Sequence, residues 1–151
     1  MRTAHLLLAA LLLLPGTLRA DDDPAPEGDL AKLQGKWKTN VGPDKDIPIV
    51  VEIKGNKVTV SFTNRQGEKV ELKGEVKINE NASPKTCDWI NFKRPDGTDA
   101  EPNLGIYKIE GDIFTVCNGG PNNPRPTEFK EGDNGPPNLL VLERVKDGNG
   151  R

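Results

Sequence analysis

Few side chains in this sequence could carry out covalent or acid–base chemistry. The single histidine, His5, lies in the first twenty residues, and serine occurs only as Ser61 and Ser83. Nucleophilic catalysis by Ser–His or Cys–His pairs and histidine-ligated zinc are therefore excluded from the rest of the chain. An enzyme would have to work with carboxylates, lysines or the single Tyr107. We expect a protein that is not an enzyme and has no catalytic residues.

An acidic loop at residues 96–101, Asp-Gly-Thr-Asp-Ala-Glu, is the one stretch that suggests a metal. Its spacing does not match the EF-hand loop, which places ligands at positions 1, 3, 5 and 12. Acidic residues beside glycine are more often simple turns. We predict no metal site and no cofactor.

The first twenty residues have the pattern of a secretory signal peptide. Arg2 and His5 precede an unbroken apolar run at residues 6–14, and small Ala20 follows. A retained membrane anchor is the alternative, but the run is far shorter than the roughly 20 apolar residues that span a bilayer. We predict cleavage after Ala20 and an exported protein, periplasmic or extracellular, with no membrane span after cleavage.

The charge balance argues against a nucleic-acid partner. The chain has 21 basic and 23 acidic residues, and removal of Arg2 and Arg19 leaves 19 against 23, so the net charge moves from −2 to −4. Lysines alternate with glutamates and form no basic patch, whereas phosphate binding needs concentrated positive charge.

After a predicted disordered lead-in at residues 21–28 and a short helical turn at 29–33, the sequence alternates with a period of two. The clearest strands are 57–63 and 69–79, joined by a loop at 64–68, with Gly74 marking a bend or bulge. Residues 104–110 and 112–117 predict a hairpin in which a Glu110-Gly111 turn pairs Tyr107 with Phe114 and Ile109 with Asp112. Weaker strands are predicted at 36–41, 47–54, 86–92, 127–130 and 139–145.

About eight strands with mostly short connections favour an all-β fold, an antiparallel up-and-down lipocalin-like barrel spanning residues 29–146 before a disordered tail at 147–151. A flat two-sheet sandwich is the competing fold. The parity of the strands predicts an inward-facing set of eleven side chains. These are Val58, Val60, Phe62, Val70, Leu72, Val76, Ile78, Tyr107, Ile109, Phe114 and Val116.

The segment Gly35-Lys36-Trp37 on the first strand resembles the lipocalin signature, in which the tryptophan fills the closed end of the barrel. Arg144, near the end of the last strand, stands where those folds place an arginine across the indole. A guanidinium over an indole face gains about 1 kcal/mol. We assign Gly35, Trp37 and Arg144 structural roles.

A wider resemblance covers residues 30–145, nearly the whole mature chain. The chain is similar to the planctomycete-type lipocalin-like family of small exported proteins of unknown function. The most specific element is residues 125–129, Arg-Pro-Thr-Glu-Phe, and the first strand opens with Leu-Gln-Gly-x-Trp at residues 33–37. The sequence departs from the family pattern at Asn118, where an apolar residue is expected. The resemblance implies the fold and export and supplies no catalytic residues.

Two functions from different classes fit this picture. The chain is predicted to be a binding module that holds a small apolar or amphipathic ligand in the barrel, or else an interaction or inhibitor domain that acts through its rim loops on another exported protein. An open apolar cavity of a few hundred cubic ångströms would favour the first, and a solid core the second.

Five residues are candidate ligand contacts, each with a structural alternative. Phe62, Phe114 and Tyr107 would line the barrel, although an internal hydrogen bond is the favoured role for the Tyr107 hydroxyl. Arg125 and Glu128 would form a site on the rim. The favoured alternative pairs Arg125 with a carboxylate, so that it pins its loop across the barrel end.

Export favours a disulfide between Cys87 and Cys117, whereas strand geometry opposes it. In a meander the two cysteines lie on next-but-one strands, about 9.5 Å apart, and a disulfide needs Cα atoms within about 7 Å. Parity also turns Cys117 outward. We predict two free thiols.

Overall fold

A computed structural model describes residues 23–148. The predicted signal peptide lies outside this range, as do residues 21–22 of the lead-in and 149–151 of the tail. The described residues form an all-β fold in which eight antiparallel strands close in sequence order, β1 to β8, into an up-and-down barrel. This confirms the predicted fold.

A short helix precedes the strands, and its bounds and theirs follow chain order. They are α1 (Gly28–Leu33), β1 (Gly35–Val41), β2 (Ile47–Lys54), β3 (Lys57–Thr63), β4 (Lys69–Asn79), β5 (Thr86–Ile90), β6 (Asn103–Glu110), β7 (Ile113–Asn118) and β8 (Asn138–Arg144). Nothing helical within residues 23–148 has the length and apolarity to cross a bilayer.

The sequence placed β2, β3 and β4 at their observed bounds, and one predicted strand was wrong. Residues 127–130 form no strand. They belong to an irregular segment, residues 119–137, which we call the strap because it crosses the outer wall of the barrel. Pro124 and Pro126 precede the predicted strand, and proline has no N–H to donate to a ladder.

The predicted β6–β7 register was also wrong, by two residues. The turn is at Gly111 and Asp112, so that Tyr107 pairs with Val116 and Ile109 with Phe114. Gly111 has φ of 61° and Asp112 has no positive φ, which is the pattern of a two-residue hairpin turn of type II′, with glycine at its first position. A shift of two keeps every side chain on its predicted face, and Tyr107 still meets Phe114 edge-on, with 6.2 Å between ring centroids.

All eleven side chains predicted to face inward are buried or half-buried, which confirms the strand parity. Gly74 marks no bulge, because β4 keeps one continuous register with β3 on either side of it. A Cβ at Gly74 would overlap the ring of Phe92, so the glycine leaves space that this aromatic ring fills.

One end of the barrel is closed as predicted, by Trp37 and Arg144. Trp37 is fully buried, and its Nε1 donates to the carbonyl of Leu33 over 2.9 Å. The Arg144 guanidinium lies 4.1 Å from the indole centroid and donates to the carbonyls of Gln34 and Lys32. These two carbonyls are at the C-terminal end of α1, so one side chain joins the helix, the first strand and the last strand.

The two cysteines are free, and both are fully buried. Cys87 belongs to the interior core, whereas Cys117 faces outward beneath the strap, where its Sγ donates to the carbonyl of Lys130 over 3.4 Å. The predicted outward orientation of Cys117 and the two free thiols are confirmed. The strap accounts for the burial of an outward side chain.

Candidate functional site

The open end of the barrel contains an apolar pocket of about 280 Å³, which we call the interior pocket. It lies opposite the end that Trp37 closes. Most of its walls are aliphatic or aromatic side chains. They are Ile49, Val51, Val60, Leu72, Trp89, Phe92, Val116, Leu140 and Leu142, and Ala100, Glu101, Asn103, Asn118 and Pro121 complete the lining.

The walls come from alternate inward residues of six strands, and one aromatic ring is supplied differently. Asn91 follows β5 with φ of 56°, a left-handed conformation that asparagine tolerates better than most residues. It interrupts the alternation, so that Phe92 follows Trp89 into the interior in place of Asn91. The left-handed residue thus places a second aromatic ring at the pocket.

Asn118 is the buried polar group of the interior pocket. It is 7% exposed, and its Oδ1 accepts a hydrogen bond from Trp89 Nε1 over 2.9 Å. An indole N–H can only donate, so it fixes which end of the amide faces the tryptophan. A Cβ at Gly105 would come within 2.6 Å of Asn118 Oδ1, so the glycine on β6 makes room for this amide.

Three of the five predicted ligand contacts lie inside the barrel, but none of them lines the interior pocket. Phe114 is fully buried at the centre of the core, with its ring 5.6 Å from that of Trp37 and 6.5 Å from that of Trp89. Phe62 is half-buried near the open end, paired with Ile49 and Val70. Phe114 is thus a core residue, and Phe62 lies outside the lining of the interior pocket.

Tyr107 makes the internal hydrogen bond that was the favoured role, and its partner is Asp29 on α1. The hydroxyl donates to Asp29 Oδ2 over 2.9 Å, and Lys85 contacts the same oxygen at 2.6 Å. Lys32 contacts Oδ1 at 2.7 Å, and the Asp29 backbone N–H donates to Glu80 over 2.6 Å. This closed-end cluster fastens the helix to the barrel.

The cluster also sets the ionisation of its members. Hydrogen bonds from Lys32 and Lys85 lower the pKa of Asp29 to about 2, even though burial opposes the charge. Burial raises the pKa of Tyr107, and so does the hydrogen bond from its hydroxyl to the Asp29 carboxylate. At neutral pH Asp29 is therefore a weakly basic carboxylate and Tyr107 keeps its proton, so neither pKa lies near 7, where acid–base catalysis is most efficient.

Arg125 and Glu128 lie on the outer wall, in the strap, apart from the interior pocket. Both terminal nitrogens of the Arg125 guanidinium donate to the Asp88 carboxylate, Nη2 over 3.1 Å, and Nη1 also donates to the carbonyl of Gly105 over 2.7 Å. Arg125 therefore pairs with a carboxylate as the structural alternative predicted, although it pins its segment to the wall at β5 and β6. Glu128 is exposed and lines a surface concavity of about 420 Å³ with Arg125.

The acidic loop at residues 96–101 is a turn. Asp96 Oδ1 accepts from the backbone N–H of Thr98 over 2.9 Å and from its hydroxyl over 2.6 Å. Residues 23–148 contain no group of three or more histidine, cysteine or acidic side chains placed to hold a metal ion.

The sequence signals that would have found the interior pocket were present. Parity places Trp89 on the same face as Cys87, and it places Asn118 on the same face as Phe114 and Val116. Asn118 stands where the family pattern predicts an apolar residue. A polar residue on an inward face at the open end of a barrel is a reason to expect a ligand contact.

Comparison of the chain with family models, curated proteins and solved structures finds no match. What the structure defines is a class of fold, a closed, eight-stranded, lipocalin-like β-barrel with an apolar interior pocket.

Proposed function

We propose that the protein is an exported, non-enzymatic binding module that holds a small apolar or amphipathic ligand in the open end of its barrel. The interior pocket carries the proposal. Its volume of about 280 Å³ lies just below the range of about 300–1,000 Å³ typical of drug-sized ligand sites, so it suits a small ligand. Apolar walls around one buried amide are the usual composition of such a site.

The ionisable groups of the core support a role in binding over one in catalysis. Asp29 and Tyr107 are hydrogen-bonded to each other at the closed end. Burial raises the pKa of the Cys87 thiol, which weakens it as a nucleophile. Export remains a prediction from the first twenty residues. Membership of the planctomycete-type lipocalin-like family likewise remains a prediction from the quoted motifs.

The test is titration of residues 21–151 with a neutral apolar fluorophore, N-phenyl-1-naphthylamine. We expect saturable binding with one site. Ala100 is half-buried in the pocket lining, so Ala100→Phe should fill the pocket and abolish the signal. Ala31→Phe, at an exposed position on α1, is the matched control and should bind normally. Equal binding by both variants would refute the proposal.

The strap concavity favours a second candidate, an interaction domain that acts on another exported protein. Its lining joins prolines and Arg125, a residue type enriched at protein interfaces, to Glu128, Lys130 and Glu131, which suit the polar rim of an interface. Hydrogen exchange of the strap with and without the host's exported proteins tests this candidate. Unchanged exchange throughout the strap would count against it.

A further inference from the structure

The seam that closes the barrel, between β1 and β8, is paired only near the closed end. Within the described residues the register joins Trp37 to Arg144 and Lys38 to Glu143, and no further pair follows. The opposite edge of β1 pairs with β2 along all seven of its residues. The half of the seam nearer the open end of the barrel is therefore unpaired, although both strands continue through it.

A cleft of about 990 Å³, which we call the seam cleft, occupies this opening. The end of β1 and the loop after it form one wall, and the start of β8 and the last part of the strap form the other. Asn103, Asn118 and Leu140 line both the seam cleft and the interior pocket. The two cavities therefore adjoin at these three residues.

The side-chain amides of Asn103 and Asn118 lie where the cavities meet. Each is oriented by a hydrogen-bond donor that cannot act as an acceptor. Asn118 Oδ1 is held by Trp89 Nε1, and Asn103 Oδ1 accepts from the Gly120 backbone N–H over 2.9 Å. Each Oδ1 is thereby engaged, and neither Nδ2 donates to another described residue. A ligand oxygen at this junction would receive hydrogen bonds from both.

The charges of the seam cleft argue against an anionic head group. Three charged residues line it, and Lys45, the one cation, already pairs with Glu131 at 3.3 Å. Asp133 is the third, and Glu101 adds another carboxylate to the lining of the adjoining interior pocket. The amides of Asn40, Asn134 and Asn138 complete a lining that can both donate and accept hydrogen bonds.

The interior pocket limits the apolar part of the ligand. At about 30 Å³ for each water-sized group, 280 Å³ holds about nine such groups, which corresponds to a short alkyl chain. The seam cleft is more than three times as large. The two volumes suit a small tail and a larger polar head.

We propose that the seam cleft is the head-group half of a two-part site, and that the ligand is a short-chain amphiphile whose uncharged head group carries several hydroxyl groups. The inference rests on the proposed function, because it takes the interior pocket as the site of the tail. A linking oxygen between tail and head would lie at the amides of Asn103 and Asn118. The head group of the bound ligand would project from the barrel through the unpaired part of the seam between β1 and β8.

The experiment compares three ligands with the same tail, each below its micellar concentration, by calorimetry on residues 21–151. They are octyl glucoside, nonanoate and octyltrimethylammonium, each of which carries an octyl tail. We expect octyl glucoside to bind at least about tenfold more tightly than either ion, equivalent to about 1.4 kcal/mol. Equal binding of all three, or a preference for either ion, would overturn the head-group assignment.

Isosteric variants test the junction. Asn118→Asp keeps an oxygen for Trp89 but replaces the Nδ2 donor with a second acceptor, and Asn103→Asp does the same for Gly120. Each should weaken octyl glucoside binding about tenfold more than it weakens N-phenyl-1-naphthylamine binding, because the fluorophore brings no oxygen to the two amides. Asn79→Asp is the control, because Asn79 Oδ1 accepts a backbone N–H from Asn81 on the exposed surface.

The failure of this inference and that of the proposed function give different results. If the fluorophore binds and octyl glucoside shows no preference, the interior pocket binds apolar ligands and the seam cleft is no head-group site. If neither the fluorophore nor any octyl compound binds, both proposals are wrong. If either variant fails to fold, as judged by circular dichroism, the other decides the role of the junction.

Discussion

The Tyr107 hydroxyl donates to Asp29 over 2.9 Å and so joins the sixth strand to a helix that lies 78 residues earlier in the chain. The tyrosine comes from the core of the barrel, and the aspartate is 4% exposed. A buried carboxylate is stable only when it is paired and hydrogen-bonded. Tyr107, Lys32 and Lys85 together meet that requirement, so α1 is an integral part of the folded barrel.

Removing the two members of this pair should have unequal effects on stability. Tyr107→Phe loses one hydrogen bond to a charged group and should lower the free energy of unfolding by about 2 kcal/mol. Asp29→Ala leaves the buried hydroxyl and two lysines without their acceptor and should cost about 3 kcal/mol or more. Urea denaturation measures both. A Tyr107→Phe loss as large as that of Asp29→Ala would contradict this account.

The lowered pKa of Asp29 makes stability depend on pH in the acid range. Asp29 titrates near 3.8 when unfolded and at about 2 when folded, so the unfolded chain binds more protons between these values. The carboxylate therefore stabilises the fold fully above about pH 4, and its contribution of about 2 kcal/mol is lost as the pH falls through 2. Urea midpoints from pH 5 to pH 2 should fall more steeply for the wild type than for Asp29→Asn. Parallel curves would refute the assignment.

Arg144→Lys should destabilise the closed end although it keeps the charge. A lysine cannot donate to the carbonyls of Gln34 and Lys32 while its charge lies over the Trp37 ring, because it lacks the planar fork. We expect a loss of about 2 kcal/mol and a change in the near-ultraviolet circular dichroism of the tryptophans. Arg65→Lys, at an exposed loop position, is the matched control and should change neither.

The sequence predicted the fold well because parity within a strand is a local property. The faces of β3, β4 and β7 follow from which of two alternating sets is apolar, and that pattern survives a register error of two residues. The register of β6 against β7 was wrong because it depends on which residue takes a positive φ. Gly111 can be the second residue of a turn with Glu110, as predicted, or the first residue of a turn with Asp112, as observed. The alternation of apolar and polar residues does not distinguish these two turns.

The interior pocket was predicted less well because its lining depends on departures from regular structure. The left-handed conformation of Asn91 brings in Phe92, and the strap after Asn118 turns outward instead of crossing the open end. Nothing in the pattern of alternating residues specifies either event. Phe62, Tyr107 and Phe114 were predicted from residue type and parity, and parity cannot tell the open end from the centre of the core. Arg125 and Glu128 were predicted from their charge in an irregular loop, and charge does not tell the rim from the outer wall.

The burial of Cys87 and Cys117 predicts a simple result for thiol titration. Both thiols are fully buried, and burial raises the pKa of each, so neither should react with Ellman's reagent in the native protein at pH 8. Denaturation without a reductant should release two thiols per chain. Detection of none after denaturation would mean that the cysteines pair between chains or that the strand order is different.

Gly74 and Phe92 should be energetically coupled, because the absent side chain of one makes room for the ring of the other. Gly74→Ala favours the strand backbone by about 0.5–1 kcal/mol, but it overfills the interior, which typically costs about 1–3 kcal/mol. We expect a net loss of about 1 kcal/mol. Gly148→Ala, at a position with no neighbour within 4 Å, should be nearly neutral.

A double-mutant cycle separates this overlap from a general intolerance of alanine on β4. Phe92→Ala removes the ring that the new methyl group would meet, so Gly74→Ala should be harmless or mildly stabilising in that background. The coupling free energy from urea denaturation should then be about 1 kcal/mol or more in favour of the double variant. Strictly additive losses would mean that Gly74 is needed for a reason other than Phe92. In that case the missing side chain at Gly74 would not be what allows the Phe92 ring to lie at the interior pocket.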